Sequence, residues 1–189
     1  MQKAVIRSRM LEARRALTKS ECLDMSKTIC EKFIGSDEYK NAGSILLYKA
    51  YNNEVDTDLI FEKAIADGKV VAYPVSDIAK GKPVLSFYII NDQSQLSEGY
   101  KGIMEPDVSR LLQLFDKTAD VCIIPGVAFD KSCNRIGYGK GFYDTYLSMM
   151  RPRKMIGLAY EIQIADDCNP EENDMALDMV ITDKTVYKR

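Results

Sequence analysis

The residues best suited to chemistry lie in one stretch, residues 125–144, with the sequence PGVAFDKSCNRIGYGKGFYD. Three of its glycines occupy alternate positions, Gly137, Gly139 and Gly141. Glycine tolerates positive φ and lets the backbone approach a ligand closely. An apolar run at 121–124 predicts a short buried strand before the stretch, and residues 142–150 predict a helix after it that stops at Pro152.

A glycine-rich turn that enters a helix leaves N–H groups unpaired, and these favour an anion, most often a phosphate. The spacing here is G-x-G-x-G, with Lys140 followed by Gly141. It therefore matches neither G-x-x-x-x-G-K-[ST] nor G-x-G-x-x-G. A phosphate loop and a plain strand-to-helix turn both remain open, and the nearby cations Arg135 and Lys140 favour phosphate.

A second set of cations lies near the N-terminus. Residues 2–15 predict a basic amphipathic helix in which Lys3 and Arg7 share one face, with Arg14 on the same side two turns along. Spacing alone favours an ordinary solvated face. The alternative is a helix that presents cations to a polyphosphate.

Two carboxylates stand out by position. Glu54 follows a predicted first strand, residues 43–48, and so lies where α/β sheets bind ligands. A lone loop glutamate is usually only solvated. Glu105, just before Pro106, is expected to be a surface carboxylate.

Composition narrows the function. The chain has 189 residues, 46% of them hydrophobic, with a net charge of −2, so we expect one domain over 1–189 and neither nucleic acid nor membrane as a partner. No apolar run approaches the roughly 20 residues that span a bilayer. The five cysteines include no C-x-x-C pair, which argues against a zinc site, and their odd number indicates a reducing cytoplasm. The absence of histidine removes the commonest general base, which leaves Lys, Arg, carboxylates and an oxygen-liking metal such as Mg²⁺.

The periodicities alternate between strands and helices. This alternation predicts an α/β fold, a three-layer sandwich with a mixed, largely parallel sheet flanked by helices. Strands are expected at 43–48, 69–74, 85–90, 120–124, 154–159 and 178–181. Helices are expected at 2–15, 18–33, 58–67, 107–115 and 142–150, with an extra turn at 37–40.

The glycine stretch resembles the signature of the 5-formyltetrahydrofolate cyclo-ligase (5,10-methenyltetrahydrofolate synthetase) family, roughly P-G-x-A-F-D-x-x-G-x-R-[LI]-G-[YR]-G-x-G-[YF]-Y-D. The resemblance extends over almost the whole chain. It includes K-x-x-[LI]-R at 3–7, E-[VI]-x-T at 54–57, G-I-x-E-P at 102–106 and [HN]-D-[VM] at 173–175. Two departures are Cys133, where the family usually has glycine, and Asn173, where many members have histidine.

The resemblance implies an ATP- and Mg²⁺-dependent cyclisation of 5-formyltetrahydrofolate, possibly polyglutamylated, to 5,10-methenyltetrahydrofolate, with release of ADP and phosphate. It implies a phosphorylated formyl intermediate. Such chemistry requires alignment and neutralisation of phosphate charge, and neither needs histidine. Separately, we expect the chain to act as a monomer. The competing hypotheses are a sugar-phosphate isomerase-like α/β enzyme and a non-catalytic nucleotide-binding regulatory module.

The resemblance also implies roles for individual residues. Catalysis would fall to Lys140 and Arg135. ATP would be bound by Lys3, Arg7, Arg135, Gly137, Tyr138, Gly139, Lys140, Gly141, Phe142 and Tyr143. Folate would be bound by Lys49, Glu54, Tyr138, Gly139, Lys140, Gly141 and Phe142. Mg²⁺ would be held by Asp144 and Asp174, directly or through water, and Tyr143 would either stack on a ligand or pack.

Overall fold

The computed structural model describes residues 2–110, 112–172 and 174–189. The helices are α1 Gln2–Arg15, α2 Lys19–Gly35, α3 Asp37–Asn41, α4 Asp58–Ala66 and α5 Phe142–Met149. The first strands are β1 Ser44–Leu46, β2 Val70–Ala79, β3 Lys82–Ile89, β4 Leu96–Glu98, β5 Met104–Pro106 and β6 Val121–Ile124. The later strands are β7 Ala128–Asp130, β8 Arg135–Ile136, β9 Lys154–Ala159, β10 Ile164–Ala165, β11 Met179–Thr182 and β12 Val186–Lys188.

The main sheet has seven strands in the order β12-β11-β9-β6-β1-β2-β3. The five central strands, β11 to β2 in that order, pair in parallel, and each outer strand pairs antiparallel with its neighbour. The fold is thus α/β with a mixed, largely parallel sheet, as the sequence predicts. Two small sheets, β10-β7-β8 and β4-β5, lie beside it.

The parallel strands are buried on both faces, and alternate residues serve the two faces. Ile45 and Ile123 pack with α2 and α4 on one face, whereas Leu46 and Cys122 pack with α5 on the other. The helices therefore cover both faces of the sheet and give the predicted three layers.

The capping residue of α2 follows the sequence pattern. The side chain of Thr18 accepts a hydrogen bond from the Glu21 amide, and the Glu21 carboxylate accepts one from the Thr18 amide. This reciprocal pair satisfies two N–H groups that a helix start leaves unpaired. It fixes where α1 ends and α2 begins.

The predicted helix at 107–115 is wrong. The Asp107 carboxylate accepts hydrogen bonds from the amide and hydroxyl of Ser109, which closes a turn. Residues 113–115 then run extended along the open edge of β3, where the Ile89 amide donates to Gln113 O and the Phe115 amide to Phe87 O. Pairing with a sheet edge outweighed the local helical pattern. Of the residues in the predicted helix, Leu111 lies outside the described residues.

Strand order explains why two distant loops meet. In the strand order, β1 continues through α4 to β2, toward one edge of the sheet. The strand β6 continues through α5 to β9, toward the opposite edge. Since β1 and β6 are adjacent and parallel, their carboxyl ends open into the same crevice. Crevices of this kind are where open α/β sheets bind ligands.

Among the described residues, no helix is both long and apolar enough to cross a membrane.

Candidate active site

A cavity of about 660 Å³ opens at the carboxyl ends of β1 and β6. Every site residue suggested by the sequence lines it: Lys3, Arg7, Lys49, Glu54, Arg135, residues 137–143, Asp144 and Asp174. The cavity therefore joins residues from both ends of the chain. Lining a cavity does not assign a role, and the individual roles remain predictions.

The glycine stretch forms one wall. Residues 128–136 fold back as the hairpin β7–β8, whose loop is held by the Asp130 carboxylate. That carboxylate accepts from the amides of Ser132, Asn134 and Cys168. The sequence predicted neither β7 nor β8, because strands of two or three residues carry little periodic signal.

Beyond β8 the chain turns twice through positive φ. Gly139 has φ of +85° and Gly141, the N-cap of α5, has φ of +73°. Both values lie in the left-handed region that glycine enters without steric cost. Lys140 between them is exposed, so its ammonium is available to a ligand.

Two cations of α1 lie against this wall. Arg7 donates from Nε to Gly137 O at 2.8 Å, and its guanidinium lies close to Gly139. Lys3 pairs with Asp174 at 2.5 Å and with Glu171 at 3.1 Å. The helix thus presents cations to the cavity, and the simple solvated face favoured by spacing alone does not describe it.

Arg135 and Asp144 form a second ion pair inside the cavity. Arg135 donates from Nη2 to the Asp144 carboxylate at 2.5 Å and from Nη1 to Pro125 O at 3.1 Å. The Arg135 side chain is only 6% exposed, whereas that of Asp144 is 43% exposed. Tyr143 packs against the guanidinium, 5.8 Å from ring centre to Cζ.

Asp174 is held ionised by its neighbours. Burial alone would raise its pKa, but the Glu171 amide and the Lys3 ammonium hydrogen-bond to it and hold that pKa below the usual value. Asn173, where the sequence departs from the histidine of many family members, lies outside the described residues.

Glu54 lies in the loop between β1 and α4, within hydrogen-bond reach of the glycine wall. Its side chain is 8% exposed and accepts from the Tyr138 hydroxyl at 2.9 Å and from the Tyr51 amide at 3.1 Å. Burial raises its pKa, while the positive charge of Arg14 and these two hydrogen bonds oppose the rise. Glu54 is therefore a buried hydrogen-bond acceptor and not the solvated residue expected of a lone glutamate in a loop.

Lys49 also reaches the cavity, but its ammonium is already engaged. It donates to the Asp58 carboxylate at 2.5 and 2.7 Å and to the Gln93 amide oxygen at 2.9 Å. Its predicted contact with folate would have to share these bonds.

Sequence reasoning missed part of the wall. Glu105, expected at the surface, is 6% exposed and accepts from the Ser76 amide at 3.2 Å and the Tyr100 amide at 3.4 Å. It ties the β4–β5 hairpin to β2, so that Tyr100 packs edge-on against Phe142 at 5.8 Å. Glu105 and Pro106 belong to the G-I-x-E-P segment, and that segment was the available signal.

A cavity at the switch point of a largely parallel sheet, lined by glycine turns, cations and a buried carboxylate, is typical of a ligand-binding α/β enzyme. The profile of the 5-formyltetrahydrofolate cyclo-ligase family matches residues 1–183, and the chain belongs to that family. The resemblance noted in the sequence is thereby confirmed.

Individual relatives agree with this assignment. The 5-formyltetrahydrofolate cyclo-ligase of Escherichia coli K12 is 30% identical over 181 residues, which cover 94% of this chain and 98% of the relative. A probable 5-formyltetrahydrofolate cyclo-ligase of Caenorhabditis elegans is 31% identical over 176 residues, 87% of this chain and 84% of the relative. The 5,10-methenyltetrahydrofolate synthetase of Aquifex aeolicus superposes with a TM-score of 0.84 at 27% identity, covering 100% of this chain and 93% of that one.

Proposed function

We propose that the protein converts 5-formyltetrahydrofolate to 5,10-methenyltetrahydrofolate at the expense of ATP, with Mg²⁺ as cofactor. The observation that carries the proposal is that one cavity brings together phosphate-binding groups and a buried carboxylate. The cavity is lined by the glycine turns, by Glu54 and by the four cations assigned to phosphate, Lys3, Arg7, Arg135 and Lys140.

The cations and the glycine turns suit the triphosphate. The N–H groups of a glycine turn at a helix start favour phosphate oxygens, and Lys140 stands between two such turns. Lys3 and Arg135 are now paired with Asp174 and Asp144. Phosphate oxygens would replace those carboxylates as partners of the two cations.

The carboxylates released in this way suit Mg²⁺. They are hard oxygen donors of the type the ion prefers, and Mg²⁺ is usually bound by one or two carboxylates together with substrate phosphates. Among residues 2–110, 112–172 and 174–189, no three His, Cys, Asp or Glu side chains form a metal-binding group by themselves. The residues present therefore fit an ion that arrives with the nucleotide, held by Asp144 and Asp174. When bound, Mg²⁺ would neutralise phosphate charge.

Glu54 suits the pterin. A pterin presents an N–C–N edge with parallel donors, and an ionised carboxylate accepts two such donors in a bidentate arrangement. Because Glu54 is buried, these hydrogen bonds would form away from competing water. Tyr138, which donates to Glu54, and Phe142 supply aromatic surface in the same cavity.

The reaction then follows from the alignment of two ligands. The oxygen of the N5-formyl group attacks the γ-phosphorus of ATP. The bond between the γ-phosphorus and the bridging oxygen of the β-phosphate breaks, and ADP departs. The product of this step is an N5-iminium phosphate, in which the formyl carbon is electrophilic. N10 attacks that carbon and loses its proton to solvent, the C–O bond breaks, and the former formyl oxygen leaves within phosphate.

The residues of this chain would contribute position and charge. Lys140 and Arg135 would stabilise the negative charge that moves between the phosphates, and Arg135 is itself fixed by Pro125 O. The second step is intramolecular, so a pocket that holds the pterin and N10 in line supplies much of its advantage.

A pair of variants tests the assignment of Lys140 to ATP and of Glu54 to folate. The purified protein with 5-formyltetrahydrofolate, ATP and Mg²⁺ should produce the ultraviolet absorbance of the methenyl product together with one ADP per turnover. Lys140→Ala should weaken ATP binding by about tenfold or more, the worth of a charge-assisted hydrogen bond, and weaken folate binding less. Glu54→Ala should do the reverse.

Lys131→Ala is the matched control, because Lys131 is an exposed lysine of the same stretch that lies outside the cavity wall. Well-folded protein that binds ATP without turnover would instead support a regulatory nucleotide-binding module. Turnover of a phosphorylated sugar without ATP would support an isomerase.

A further inference from the structure

Arg14 is buried in the last turn of α1. It is 1% exposed, and its guanidinium donates to Gly126 O at 3.3 Å and to the Tyr138 hydroxyl. A guanidinium stays charged at any working pH, and a buried charge is costly unless a counter-charge compensates it. The spacing of the sequence gives no reason to expect this burial, so the position requires an explanation.

The counter-charge is Glu54. Arg14 Nη1 lies 4.0 Å from Glu54 Oε1, and the Tyr138 hydroxyl, which accepts from Arg14, donates to the same oxygen at 2.9 Å. A carboxylate offers about four acceptor positions. Tyr138 and the Tyr51 amide use one each, one on each oxygen, which leaves two for a ligand in the cavity.

The end of α1 also holds the backbone that carries Glu54. The Asn53 side-chain amide donates to Arg14 O at 3.3 Å and to Leu17 O at 3.2 Å. The Tyr160 hydroxyl donates to Glu54 O at 3.1 Å. The loop is thus fixed on two sides, and the last turn of α1, which holds it on one side, also carries the charged side chain of Arg14.

We propose that Arg14 is a positioning residue, which acts through the Tyr138 hydroxyl to keep the Glu54 carboxylate ionised and oriented toward the pterin. The inference rests on the proposed role of Glu54 in folate binding and adds a residue to it. Arg14 would not contact either substrate.

The surroundings of Glu54 make Arg14 decisive. The titratable groups that face it are Arg14 from α1, Tyr138 from the glycine turn, Tyr143 from α5 and Tyr48 from the end of β1. The three phenols are neutral at neutral pH, and burial raises the pKa of each further. Arg14 is therefore the charge that opposes the effect of burial on Glu54.

Removal of the Arg14 charge should change the pKa of Glu54, and with it the folate affinity, in a defined direction. In Arg14→Gln the pKa of Glu54 rises further, because burial is no longer opposed by a cation. Below the new pKa the carboxyl is protonated and offers fewer acceptors, so folate affinity falls as the pH falls. One proton taken up per site corresponds to at most about a tenfold loss per pH unit.

The test is calorimetric titration of 5-formyltetrahydrofolate, without nucleotide, between about pH 6 and pH 9. The wild type should vary little. Arg14→Gln should bind weakly at the acid end and recover as the pH rises, and Arg14→Lys should regain most of the affinity because it restores the charge. ATP affinity should be unaltered in both variants. A loss in Arg14→Gln that is equal at every pH, or no loss, would overturn the proposal.

Two further variants keep the result interpretable. If Arg14→Gln does not fold, the double variant Arg14→Gln/Glu54→Gln removes both charges and should fold, yet bind folate weakly; wild-type affinity in it would contradict the proposal. Glu54→Ala separates the two claims. Unchanged affinity there removes the pterin role itself, whereas lost affinity there with a pH-independent Arg14→Gln removes only the role of Arg14.

Discussion

Cys133 occupies a backbone conformation that normally belongs to glycine. Its φ is +63°, and the family signature has glycine at this position. The side chain is fully buried, and its Sγ lies 3.6 Å from Tyr187 O. The turn keeps its shape because the hydrogen bonds of Asp130 close it from outside. Arg135 therefore reaches Pro125 O and Asp144 with cysteine at this position.

Cys133→Gly sets backbone strain against packing. Glycine would relieve about 1 kcal/mol of left-handed strain. The variant would lose the burial of the cysteine side chain, worth about 1–2 kcal/mol. The greater chain entropy of glycine would favour the unfolded state by about a further 0.5–1 kcal/mol. We expect a net loss of about 1 kcal/mol in the free energy of unfolding, measured by denaturant titration.

Folate and ATP affinities should stay within about twofold in Cys133→Gly, since the contacts of Arg135 do not involve the thiol. A variant more stable than the wild type would mean that strain, and not packing, dominates at this position.

Single residues were predictable only where a motif carried them. Lys3 and Glu54 were singled out by position but assigned to ligands only by the resemblance, which alone indicated Asp174, and all three line the cavity. Arg14 and Glu105 were expected to be exposed and are buried. Their burial depends on partners roughly 30 to 110 residues away, such as Ser76 and Gly126, and no local pattern encodes such distances.

At the scale of elements, the glycine turn before α5 depends on backbone freedom. Gly139 has φ of +85°, and a Cβ there would stand 3.6 Å from the Arg7 guanidinium, an ordinary contact. Alanine would therefore fit in space but strain the backbone. The strain would be released by a shift of the N–H groups that we assign to phosphate.

Gly139→Ala should therefore lower ATP affinity by about tenfold or more and cost about 1 kcal/mol of stability. Gly68→Ala is the control, since Gly68 has φ of +71°, lies in open space after α4 and is remote from the cavity wall. It should lose similar stability but no ATP affinity. If both variants bind ATP equally well, the conformation of the turn does not matter for the nucleotide.

Elements with strong periodicity were predicted well, and short ones were not. The capping box of α2 and the apolar run of β6 need only local physics. The hairpin β7–β8 and the extended segment at 113–115 exist because of hydrogen bonds to other parts of the chain. Asp107 shows the conflict directly, because the same residue that could begin a helix closes a turn with Ser109.

At the scale of the whole molecule, the site is completed by the two ends of the chain. Lys3 and Asp174 are 171 residues apart and pair at 2.5 Å at the edge of the cavity. The sheet alone brings β1 and β6 together, as the alternating pattern predicts. The approach of α1 to the segment before β11 follows from packing that the sequence does not reveal, and only the resemblance indicated it.

The same ion pair can be interpreted as a tether or as a ligand site, and a charge swap separates the two. In Lys3→Asp/Asp174→Lys the attraction between the two positions is retained, but the Lys3–Glu171 pair and the hydrogen bond from the Glu171 amide to Asp174 are lost, so the free energy of unfolding should fall by no more than about 2 kcal/mol. The nucleotide would meet a carboxylate where we place a phosphate-binding ammonium. ATP affinity, measured by calorimetry without Mg²⁺, should therefore fall by about tenfold or more. The single variant Lys3→Met, as the control, should lose the same affinity without adding a repulsive charge. Wild-type affinity in the swapped protein would mean that Lys3 serves only to hold the two ends of the chain together.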